Sequence, residues 1–445
     1  MANICVIGIG RIGLALALVC AKKGHSVIGL DKSESRLLDV RENNFRAPER
    51  RLERELLRKH LEKNLFVSQD LQIALSKSTI VFVTVGTSVR ANETADLTNL
   101  FYLVNNICRK AENVKGKLFI FKSTLPIGTT RKIAGMIEEK TGLECGKDFY
   151  LVFSPERVLG DKAIVEMQSV PKIIGGIDKV SAEKAVDVYK TIGGKIIVLE
   201  NPEAAELIKL VDNAYRQTMF AFANDVALIA ERFGLDAYEI IKAANDSYPR
   251  NRVPFPSAGV SGYCLTKDPL YLETSFKDVA ERRGFQSVWY NARKTNDYMP
   301  AHVVELLEKQ FTKAGLSLEG ANVLVCGITY KENVDDIRSS HGLEIAKMLE
   351  EKGVNVFVWD PYVHRPNAMA YKIVDDIEEV IQNIDALIFT VKHDEFMKLN
   401  ENNEILRILE KMRNQVLVDG WGIFRKLKNK KHVYYACVGV SGSAI

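Results

Sequence analysis

The sequence lacks the cysteine and histidine patterns that mark disulfide frameworks and zinc sites. Its 445 residues include seven cysteines, an odd number, and no two of them form a CxxC pair. The seven histidines are scattered, with no pair at metal-ligand spacing. We therefore predict reduced thiols, a cytoplasmic location and no bound metal.

A strong charge excess and long apolar runs are also missing. The net charge of +4 is too small to favour nucleic acid as the main partner, although an anionic small molecule fits it. No apolar run reaches the roughly 20 residues that cross a bilayer, so we expect no membrane partner. The apolar N-terminus has no basic leading segment and is interrupted by Arg11 and Lys22, which favours folded structure over a secretion signal.

Short β-type runs alternate with amphipathic helical stretches in two parts of the chain. This alternation predicts an α/β fold with two Rossmann-like, doubly wound domains, each built on a parallel sheet covered on both faces. A charged helix is predicted over residues 49–63. The predicted strands are 4–8, 26–31, 79–86, 118–124, 149–156, 321–327, 354–360, 385–391 and 415–422.

A long helix separates these two parts. Residues 202–234 carry apolar side chains at helical spacing on more than one face, with Pro202 at the start and Gly234 at the end. We expect this helix and a helical domain around it to join the α/β domains and to mediate a homodimer. The predicted domains are residues 1–200, 201–300 and 301–445.

The segment from Gly8 to Gly13 reads G-x-G-x-x-G between a predicted strand and a helix, and Asp31 ends the next strand. Such glycines let the backbone approach a pyrophosphate at a helix N-terminus. Asp31 can accept hydrogen bonds from ribose and would repel a 2′-phosphate, which favours NAD over NADP, although Lys32 and Arg36 lie nearby. The alternative is a structural turn with an unused crevice. The predicted cofactor residues here are Gly8, Gly10, Arg11, Ile12, Gly13 and Asp31.

Two hydroxyl-rich turns, VTVGTS at 83–88 and KSTLPIGTT at 122–130, each end a predicted strand. In open α/β sheets, ligands bind beyond the carboxyl ends of the strands. Thr87, Ser123 and Thr124 are therefore candidates to line the nicotinamide end of the cofactor. The alternative for each is a helix cap.

On the long helix, Lys209 and Asn213 are four residues apart and share one face. An ammonium and a carboxamide side by side can bind a developing oxyanion. The alternative is a solvated helix face, but Lys209 lies within the otherwise apolar stretch AELIKLVDNAY, which favours a site.

Cys264 lies in SAGVSGYCLTKDP, which we interpret as a glycine-rich loop. The alternative to a nucleophile is an inert packing thiol. A nearby cation, Lys209 or Lys267, would lower the pKa of the thiol, and Asp268 would supply a carboxylate. Glu156, which follows a strand end in SPERV, is a second acid expected at the same rim.

Several motifs, in order along nearly the whole chain, resemble those of the UDP-glucose/GDP-mannose dehydrogenase family. They are GIGRIG, KSTLPIGTT, SPERV, AELIKLVDNAY, GVSGYCLTKDP, GITYKENVDDIRSS and VWDPY. The resemblance implies a four-electron oxidation of a nucleotide sugar, from alcohol to carboxylate, with two NAD⁺.

The resemblance also implies residue roles. Cys264 would attack the first-formed aldehyde, and the thiohemiacetal would become a thioester that water hydrolyses. Lys209 and Asn213 would hold the oxyanions, Asp268 would orient water and Lys209, and Glu156 would be the base for hydrolysis. The implied catalytic set is Thr124, Glu156, Lys209, Asn213, Cys264 and Asp268, and Lys267 joins the cofactor site.

For the substrate, the resemblance places the nucleotide in the C-terminal half, where Lys331 and Arg338 match positions that contact phosphate or sugar. Arg157 and the segment YPRNRVPF, with Arg250, resemble the branch that oxidises UDP-N-acetylmannosamine or UDP-N-acetylglucosamine. The implied substrate-binding set is Glu156, Arg157, Lys209, Asn213, Arg250, Gly259, Lys331 and Arg338.

Three residues depart from the family pattern: Ser261 replaces a loop glycine, Tyr263 stands where His or Ser is common, and His341 stands where proline is usual. The alternatives to a UDP-N-acetylhexosamine dehydrogenase are a UDP-glucose 6-dehydrogenase, a two-electron hydroxyacid-type dehydrogenase and a catalytically silent NAD-binding protein.

Overall fold

The structure, a computed structural model, describes residues 1–45, 50–363 and 371–440. The chain forms two compact units. The first contains residues 1–212 and 270–282, and the second contains residues 213–269 and those from 283 onward. The sequence-based division into three domains stays a prediction.

The first unit is built on short apolar strands, and its central strands are buried on both faces. Full burial of both faces is what a sheet covered by helices requires. The strands are β1 Asn3–Ile7, β2 Ser26–Leu30, β3 Leu65–Ser68, β4 Ile80–Val83, β5 Ser88–Val89, β6 Ala95–Asp96, β7 Leu118–Phe121, β8 Tyr150–Phe153, β9 Lys172–Gly176 and β10 Ile196–Leu199.

Eight of these strands form one sheet in the order β10-β9-β8-β7-β4-β1-β2-β3, and β5 and β6 form a separate hairpin. All neighbours in the large sheet are parallel except β8 and β9, which pair antiparallel. The part from β3 to β8 has the 3-2-1-4-5-6 order of a Rossmann fold. The prediction of a doubly wound α/β domain is therefore confirmed, with an antiparallel extension that the sequence analysis did not include.

Helices cover the sheet of the first unit. They are α1 Arg11–Lys22, α2 Glu34–Arg41, α3 Arg51–His60, α4 Leu71–Ser76, α5 Thr98–Ile107, α6 Thr129–Thr141, α7 Ala163–Ser169 and α8 Lys179–Ile192. The predicted charged helix corresponds to α3, and Glu49, where that prediction began, lies outside the described residues.

Five strands of the first unit were missed from the sequence: the two-residue strands β5 and β6 of the hairpin, and β3, β9 and β10 of the large sheet. β3 and β10 are only partly buried, and β9 ends in two glycines. Strands at the edge of a sheet show weaker apolar patterns than central ones because solvent covers part of them. The predicted strands all exist, but most are shorter than predicted by one to four residues at their ends.

The second unit contains a six-stranded sheet in the order β13-β12-β11-β14-β15-β16, parallel throughout. This is again the 3-2-1-4-5-6 order, which confirms the second Rossmann-like domain. The strands are β11 Asn322–Cys326, β12 Asn355–Trp359, β13 Lys372–Ile373, β14 Ala386–Phe389, β15 Val416–Asp419 and β16 Tyr434–Cys437.

The remaining helices include two that contribute to both units. They are α9 Pro202–Arg232, α10 Ala237–Asn245, α11 Tyr263–Arg283, α12 Val288–Lys313, α13 His341–Glu351, α14 Asp394–Glu401 and α15 Glu404–Lys411. The long predicted helix is α9, which has 31 residues and begins at Pro202. Among the described residues, no helix has the length and apolar character that a membrane crossing needs.

A buried glutamate of α9 caps α6 within the first unit. The Glu206 carboxylate accepts hydrogen bonds from the amides of Gly128 and Thr130, at 2.6 and 2.7 Å, and from the Thr130 hydroxyl at 2.6 Å. The first amides of a helix have no acceptor inside the helix, so this carboxylate supplies one. Glu206 therefore fixes the turn that follows β7 against the start of α9.

We predict that Glu206→Leu lowers the free energy of unfolding by at least about 2 kcal/mol, because buried donors at the start of α6 lose their acceptor. Chemical denaturation measures this loss. Glu203→Ala is the control on the same helix: it removes the pair with Arg131, whose side chain is 56% exposed, and we expect a loss within about 1 kcal/mol. Equal losses in both variants would contradict the capping role.

Candidate functional site

The fingerprint turn of the first unit is shaped to receive a pyrophosphate. Gly8, directly after β1, has a φ of 91°, in the region that favours glycine. A Cβ on Gly13 would collide with the carbonyl oxygen of Gly8. The N-cap of α1 is Gly10, so the first amides of α1 have no side-chain cap and point to the space where an anion can bind. These residues fit a dinucleotide.

Thr84 fixes this turn from the neighbouring strand, a role that the sequence analysis missed. Its hydroxyl donates to the carbonyl oxygens of Ile7 and Gly8, at 3.0 and 2.7 Å. Its own amide donates to Ile7 as well, at 2.9 Å. The sequence pattern that could have indicated this role is a threonine directly after a buried strand.

At the expected adenosine end, Asp31 follows β2 and its Oδ1 accepts a hydrogen bond from the amide of Ser33 at 3.1 Å. Arg36 donates through Nε to the carbonyl of Ile9, inside the fingerprint, at 2.8 Å. Within the described residues, one buried terminal nitrogen of Arg36 has no hydrogen-bond partner. Arg36 therefore offers a donor to a ligand, whereas the sequence analysis had treated it only as a cation near Asp31.

The structure brings together the two hydroxyl-rich turns. Thr87 donates through its hydroxyl to the carbonyl of Thr124 at 2.9 Å, and Ser123 donates to the carbonyl of Val83 at 3.4 Å. Thr87 and Ser123 are buried, while Thr124 is half-buried. The hydroxyls of Thr87 and Ser123 hold the turns, which leaves Thr124 as the more accessible of the three side chains.

Glu156 follows β8 and is bound on both carboxylate oxygens. Oε1 accepts from the amide of Arg157 at 2.9 Å, and Oε2 lies 3.2 Å from the ammonium of Lys122. The Arg157 guanidinium donates to Asp212 at 2.6 Å. Arg157, predicted to bind substrate, is thus already engaged in an ion pair, and its substrate role stays a prediction.

Cys264 lies in the first turn of α11, so its placement in a loop was wrong. The turn is helical from Tyr263, and the amide of Thr266 donates to the carbonyl of Gly262 at 3.3 Å, which starts the helix. The thiol is exposed, unlike the thiols of the core cysteines. A helix N-terminus favours a thiolate because its amides and dipole stabilise negative charge.

Asp268, one turn further along α11, is fully buried and is bound on both oxygens. The Asn213 side-chain amide of α9 donates to Oδ2 at 2.6 Å, and the Lys267 ammonium donates to Oδ1 at 2.6 Å. The structure therefore joins three predicted site residues, Asn213, Lys267 and Asp268. Lys209 is half-buried one turn earlier on α9, in the first unit.

The two glycines before Cys264 allow close approach of neighbouring groups. Gly259 has a φ of 102°, and a Cβ there would come within 2.7 Å of the His341 ring. Gly262 has a φ of 94°, and a Cβ there would collide with the Tyr330 ring. Both positions require glycine for their backbone conformation and for space.

Two of the departures from the family pattern are hydrogen-bonded to neighbouring carbonyls. The Ser261 hydroxyl donates to the carbonyl of Tyr330 at 2.8 Å, and Nδ1 of His341 lies 3.2 Å from the carbonyl oxygen of Ala258. The first contact joins the segment before Cys264 to the segment after β11, and the second joins it to the first residue of α13. These two hydrogen bonds hold the loop before Cys264 at the positions where Ser261 and His341 depart from the family pattern.

Arg338 lies near Cys264 in the second unit. It is paired with Asp336 through two nitrogens, at 2.9 and 2.6 Å, and its guanidinium lies 5.3 Å from the centre of the Tyr263 ring. The pKa of Arg338 is raised by these hydrogen bonds to Asp336 and, to a smaller extent, by the thiolate charge of Cys264. Arg338 is thus a cation for the thiol that the sequence analysis had assigned only to substrate.

The other predicted substrate residues, Lys331 and Arg250, lie in the second unit. Lys331 is half-buried in the segment after β11. Arg250 is exposed, with its guanidinium 5.2 Å from the centre of the Tyr248 ring. Their predicted contacts with substrate stay predictions.

Comparisons with known proteins match this architecture along the chain. Three domain models of the UDP-glucose/GDP-mannose dehydrogenase family match: the NAD-binding domain over residues 2–193, the central domain over 203–298 and the UDP-binding domain over 324–426. These three matches follow the order of the motifs in the sequence.

Individual relatives agree with these matches. UDP-N-acetyl-D-mannosamine dehydrogenase of Pyrococcus horikoshii is 32% identical over 95% of this chain and 96% of its own. The solved structure of that organism's UDP-N-acetylmannosamine dehydrogenase has a TM-score of 0.87, with 30% identity, and covers 98% of this chain and 99% of its own. UDP-N-acetyl-D-glucosamine 6-dehydrogenase of Pseudomonas aeruginosa is 30% identical over 90% of this chain and 93% of its own.

We predict a stability loss at acid pH that depends on His341. Burial, with a smaller effect from the charge of Arg293, lowers the pKa of His341 from 6.5 to about 3. The unfolded state therefore gains a proton first, and stability present above pH 6.5 is lost as the pH falls toward 3, by about 1.4 kcal/mol per pH unit. Chemical denaturation between pH 4 and 7 should show this slope in the native chain and a shallower one in His341→Gln.

The exposed His432 is the control. Since its φ of 70° favours asparagine among the polar replacements, His432→Asn should leave the slope unchanged. An unchanged slope in His341→Gln would contradict the buried neutral imidazole.

Proposed function

Because this chain belongs to the UDP-glucose/GDP-mannose dehydrogenase family and is an NAD-dependent UDP-sugar dehydrogenase, we propose that it oxidises the C6 hydroxyl of a UDP-N-acetylhexosamine to a carboxylate. The observation that carries the proposal is the exposed thiol of Cys264 at the start of α11, one turn from the buried carboxylate of Asp268. A two-electron alcohol dehydrogenase has no use for a nucleophilic thiol.

The names of relatives support the choice of sugar. Relatives that this chain matches over most of its length are named UDP-N-acetyl-D-mannosamine dehydrogenase and UDP-N-acetyl-D-glucosamine 6-dehydrogenase. The basic residues Arg157 and Arg250, which resemble that branch, agree with the same sugars. UDP-N-acetylmannosamine is the first candidate and UDP-N-acetylglucosamine the second.

The reaction balances as two oxidations followed by a hydrolysis. The alcohol loses a hydride and a proton to become an aldehyde, and the Cys264 thiolate adds to the aldehyde carbon to form a thiohemiacetal. Loss of a second hydride gives a thioester, and water releases the carboxylate and the thiol. NAD⁺, when bound at the fingerprint of the first unit, accepts each hydride. The covalent link retains the aldehyde between the two oxidations.

Three groups of the second unit prepare Cys264 and its oxyanions. The helix N-terminus and Arg338 favour the thiolate. Asp268 accepts one amide hydrogen of Asn213, which fixes the orientation of the carboxamide and leaves its second hydrogen for an oxyanion. We assign Lys209 as the second donor to that oxyanion.

Glu156 and Thr124 serve the hydrolysis in this proposal. Glu156 remains a carboxylate. Burial alone would raise the pKa of Glu156, but the ammonium of Lys122, the ammonium of Lys172 and the amide of Arg157 together leave that pKa below its usual value. A carboxylate can orient a water for attack on the thioester, and the half-buried Thr124 can hold the same water.

The nucleotide and the cellular location complete the assignment. Lys331 and Arg338 would bind the pyrophosphate, and Asp336 keeps the Arg338 guanidinium in a fixed plane.

We place the activity in the cytoplasm, since none of the seven cysteines, all within the described residues, forms a disulfide.

The test is a panel of UDP-N-acetylmannosamine, UDP-N-acetylglucosamine and UDP-glucose, with NADH counted against product identified by mass. We expect two NADH per sugar and a uronate product, with the highest kcat/KM for an N-acetylhexosamine. Cys264→Ser should bind NAD as the native chain does and lose uronate formation by at least about 100-fold. Cys145→Ser, at a half-buried thiol in the first unit, is the control and should retain turnover.

One NADH per sugar with an aldehyde or ketone product would favour the alternative hypothesis, a two-electron hydroxyacid-type dehydrogenase. Native turnover in Cys264→Ser would refute the covalent route. No turnover of any sugar, with NAD still bound, would favour the silent NAD-binding protein.

We also propose a homodimer through α9. Five apolar side chains on this helix, and Phe233 directly after it, are exposed, by 38% to 68%, and spacings of four or seven residues place them on one face. They are Leu207, Val211, Tyr215, Phe222, Ile229 and Phe233. A stripe of this length is rare on a monomer surface, and a second copy of the same helix can cover it through a two-fold axis.

We predict that Phe222→Glu shifts the chain from dimer to monomer, because a charge at the centre of the stripe would be buried without a partner. Sedimentation velocity measures the change. Tyr102→Glu, at a side chain of α5 that is 66% exposed, is the matched control and should leave the association state unchanged. A native chain that sediments as a monomer would refute the dimer.

A further inference from the structure

A buried cluster of charged and polar side chains surrounds Glu156 in the first unit. Lys122, which directly follows β7, has a side chain that is 3% exposed, and the Glu156 side chain is 14% exposed. Lys172, the first residue of β9, and Tyr189 of α8 are buried beside them. Two lysines and one carboxylate in a protein interior need a reason, because unpaired buried charge is costly.

The contacts of Lys122 account for all three of its ammonium hydrogens. Nζ lies 3.2 Å from Oε2 of Glu156, and it donates to the Ser154 carbonyl at 3.1 Å and to the Tyr189 hydroxyl at 3.3 Å. Tyr189 in turn donates to the Ser154 hydroxyl at 2.7 Å. Lys122 is therefore held in one position and points its charge at one oxygen of Glu156.

The other oxygen of Glu156 is held by the backbone. Oε1 accepts from the amides of Arg157 and Val158, at 2.9 and 3.3 Å. With both oxygens engaged, the carboxylate plane is fixed, and its remaining lone pairs can accept a water.

We propose that Lys122 is a positioning residue for Glu156: its buried ammonium keeps that side chain a carboxylate in one orientation, ready to align the water that cleaves the thioester. This inference rests on the proposed function, in which Glu156 serves the hydrolysis. Lys122 itself does not contact the substrate in this scheme and transfers no proton.

Three titratable groups beside the pair, all within the described residues, are consistent with this charge state. Burial raises the pKa of Cys20, on α1, to about 12, and it also raises the pKa of Tyr189, so both remain neutral. Burial, opposed by Glu156 and assisted by Lys122, lowers the pKa of Lys172 to about 8. Without Lys122, the charge of Glu156 would be stabilised by the partly titrating Lys172 and by the backbone amides.

The experiment replaces Lys122 by methionine, which keeps the length of the side chain and removes its charge. Without the ammonium, burial raises the pKa of Glu156, so the acid limb of the pH profile for uronate release should move upward by about one pH unit or more. At pH values below this acid limb, the thioester should accumulate in Lys122→Met after a burst of about two NADH per active site. Stopped-flow absorbance and intact-protein mass measure the burst and the adduct.

Two variants serve as controls for this profile. Glu156→Gln should give the same burst at every pH, because no carboxylate can form. Lys117→Met removes another buried lysine, which lies just before β7 and donates to the Ser78 carbonyl, and should leave the acid limb unchanged. A Lys122→Met enzyme with the acid limb of the native enzyme would overturn the proposal.

A second measurement does not depend on activity. In Lys122→Met, Glu156 has a folded pKa above its unfolded value, so its ionisation destabilises the fold as the pH rises. The loss of thermal midpoint relative to the native chain should therefore grow from pH 5 to 7.5. The Lys122→Met/Glu156→Gln double variant, compared with Glu156→Gln, should show no such growth.

The two measurements separate failure of the function from failure of the pairing. If the native enzyme forms no uronate while the thermal midpoints follow the expected trend, the proposed function is refuted. The pairing, in which Lys122 keeps Glu156 charged, is then still supported. A midpoint difference that does not change with pH would overturn the pairing whatever the activity.

Discussion

The buried carboxylate of Asp268 is the constraint on which the part of the second unit around Cys264 depends. A fully buried carboxylate must be bound on its oxygens, and here one oxygen is bound by Asn213 of α9 and the other by Lys267 of α11. The bond from Asn213 fixes the register between the two helices, and the bond from Lys267 holds the carboxylate in place within α11. Since Cys264 lies one turn before Asp268 on α11, the same bonds determine where the thiol stands.

The chain contains two Rossmann-like sheets, and they differ in the segment that follows the glycine turn after the first strand. Thr84 after β4 and Thr390 after β14 both donate to the backbone of the glycine turn after the first strand of their sheet. In the first unit α1 starts at Arg11, directly after that turn. In the second unit Asp360 accepts bonds from the amides after β11, and the helix starts only at His341. The glycine turn of the second unit is therefore not followed directly by a helix N-terminus, which is the geometry that binds a dinucleotide.

The departures from the family pattern change how the loop before Cys264 is held. Ser261 and His341 each bond to a carbonyl of the opposite segment, which ties the loop to its neighbours through side chains. A serine here satisfies a carbonyl that a glycine would leave for water. The loop thus remains compatible with a nucleophile at its end, and these residues give no support to a silent protein.

Local patterns determined much of this protein from the sequence alone: the two strand-and-helix alternations, the fingerprint, the long helix and the motif that contains Cys264. They did so because apolar periodicity and glycine spacing are properties of adjacent residues. The antiparallel pairing of β8 with β9 and the roles of Thr84, Arg36 and Arg338 were decided by tertiary structure. The helical turn at Cys264 is closed by a local bond from Thr266 to Gly262. The other features depend on contacts between residues far apart in the chain, and the Lys122–Glu156 pair forms only when β7 and β8 lie side by side.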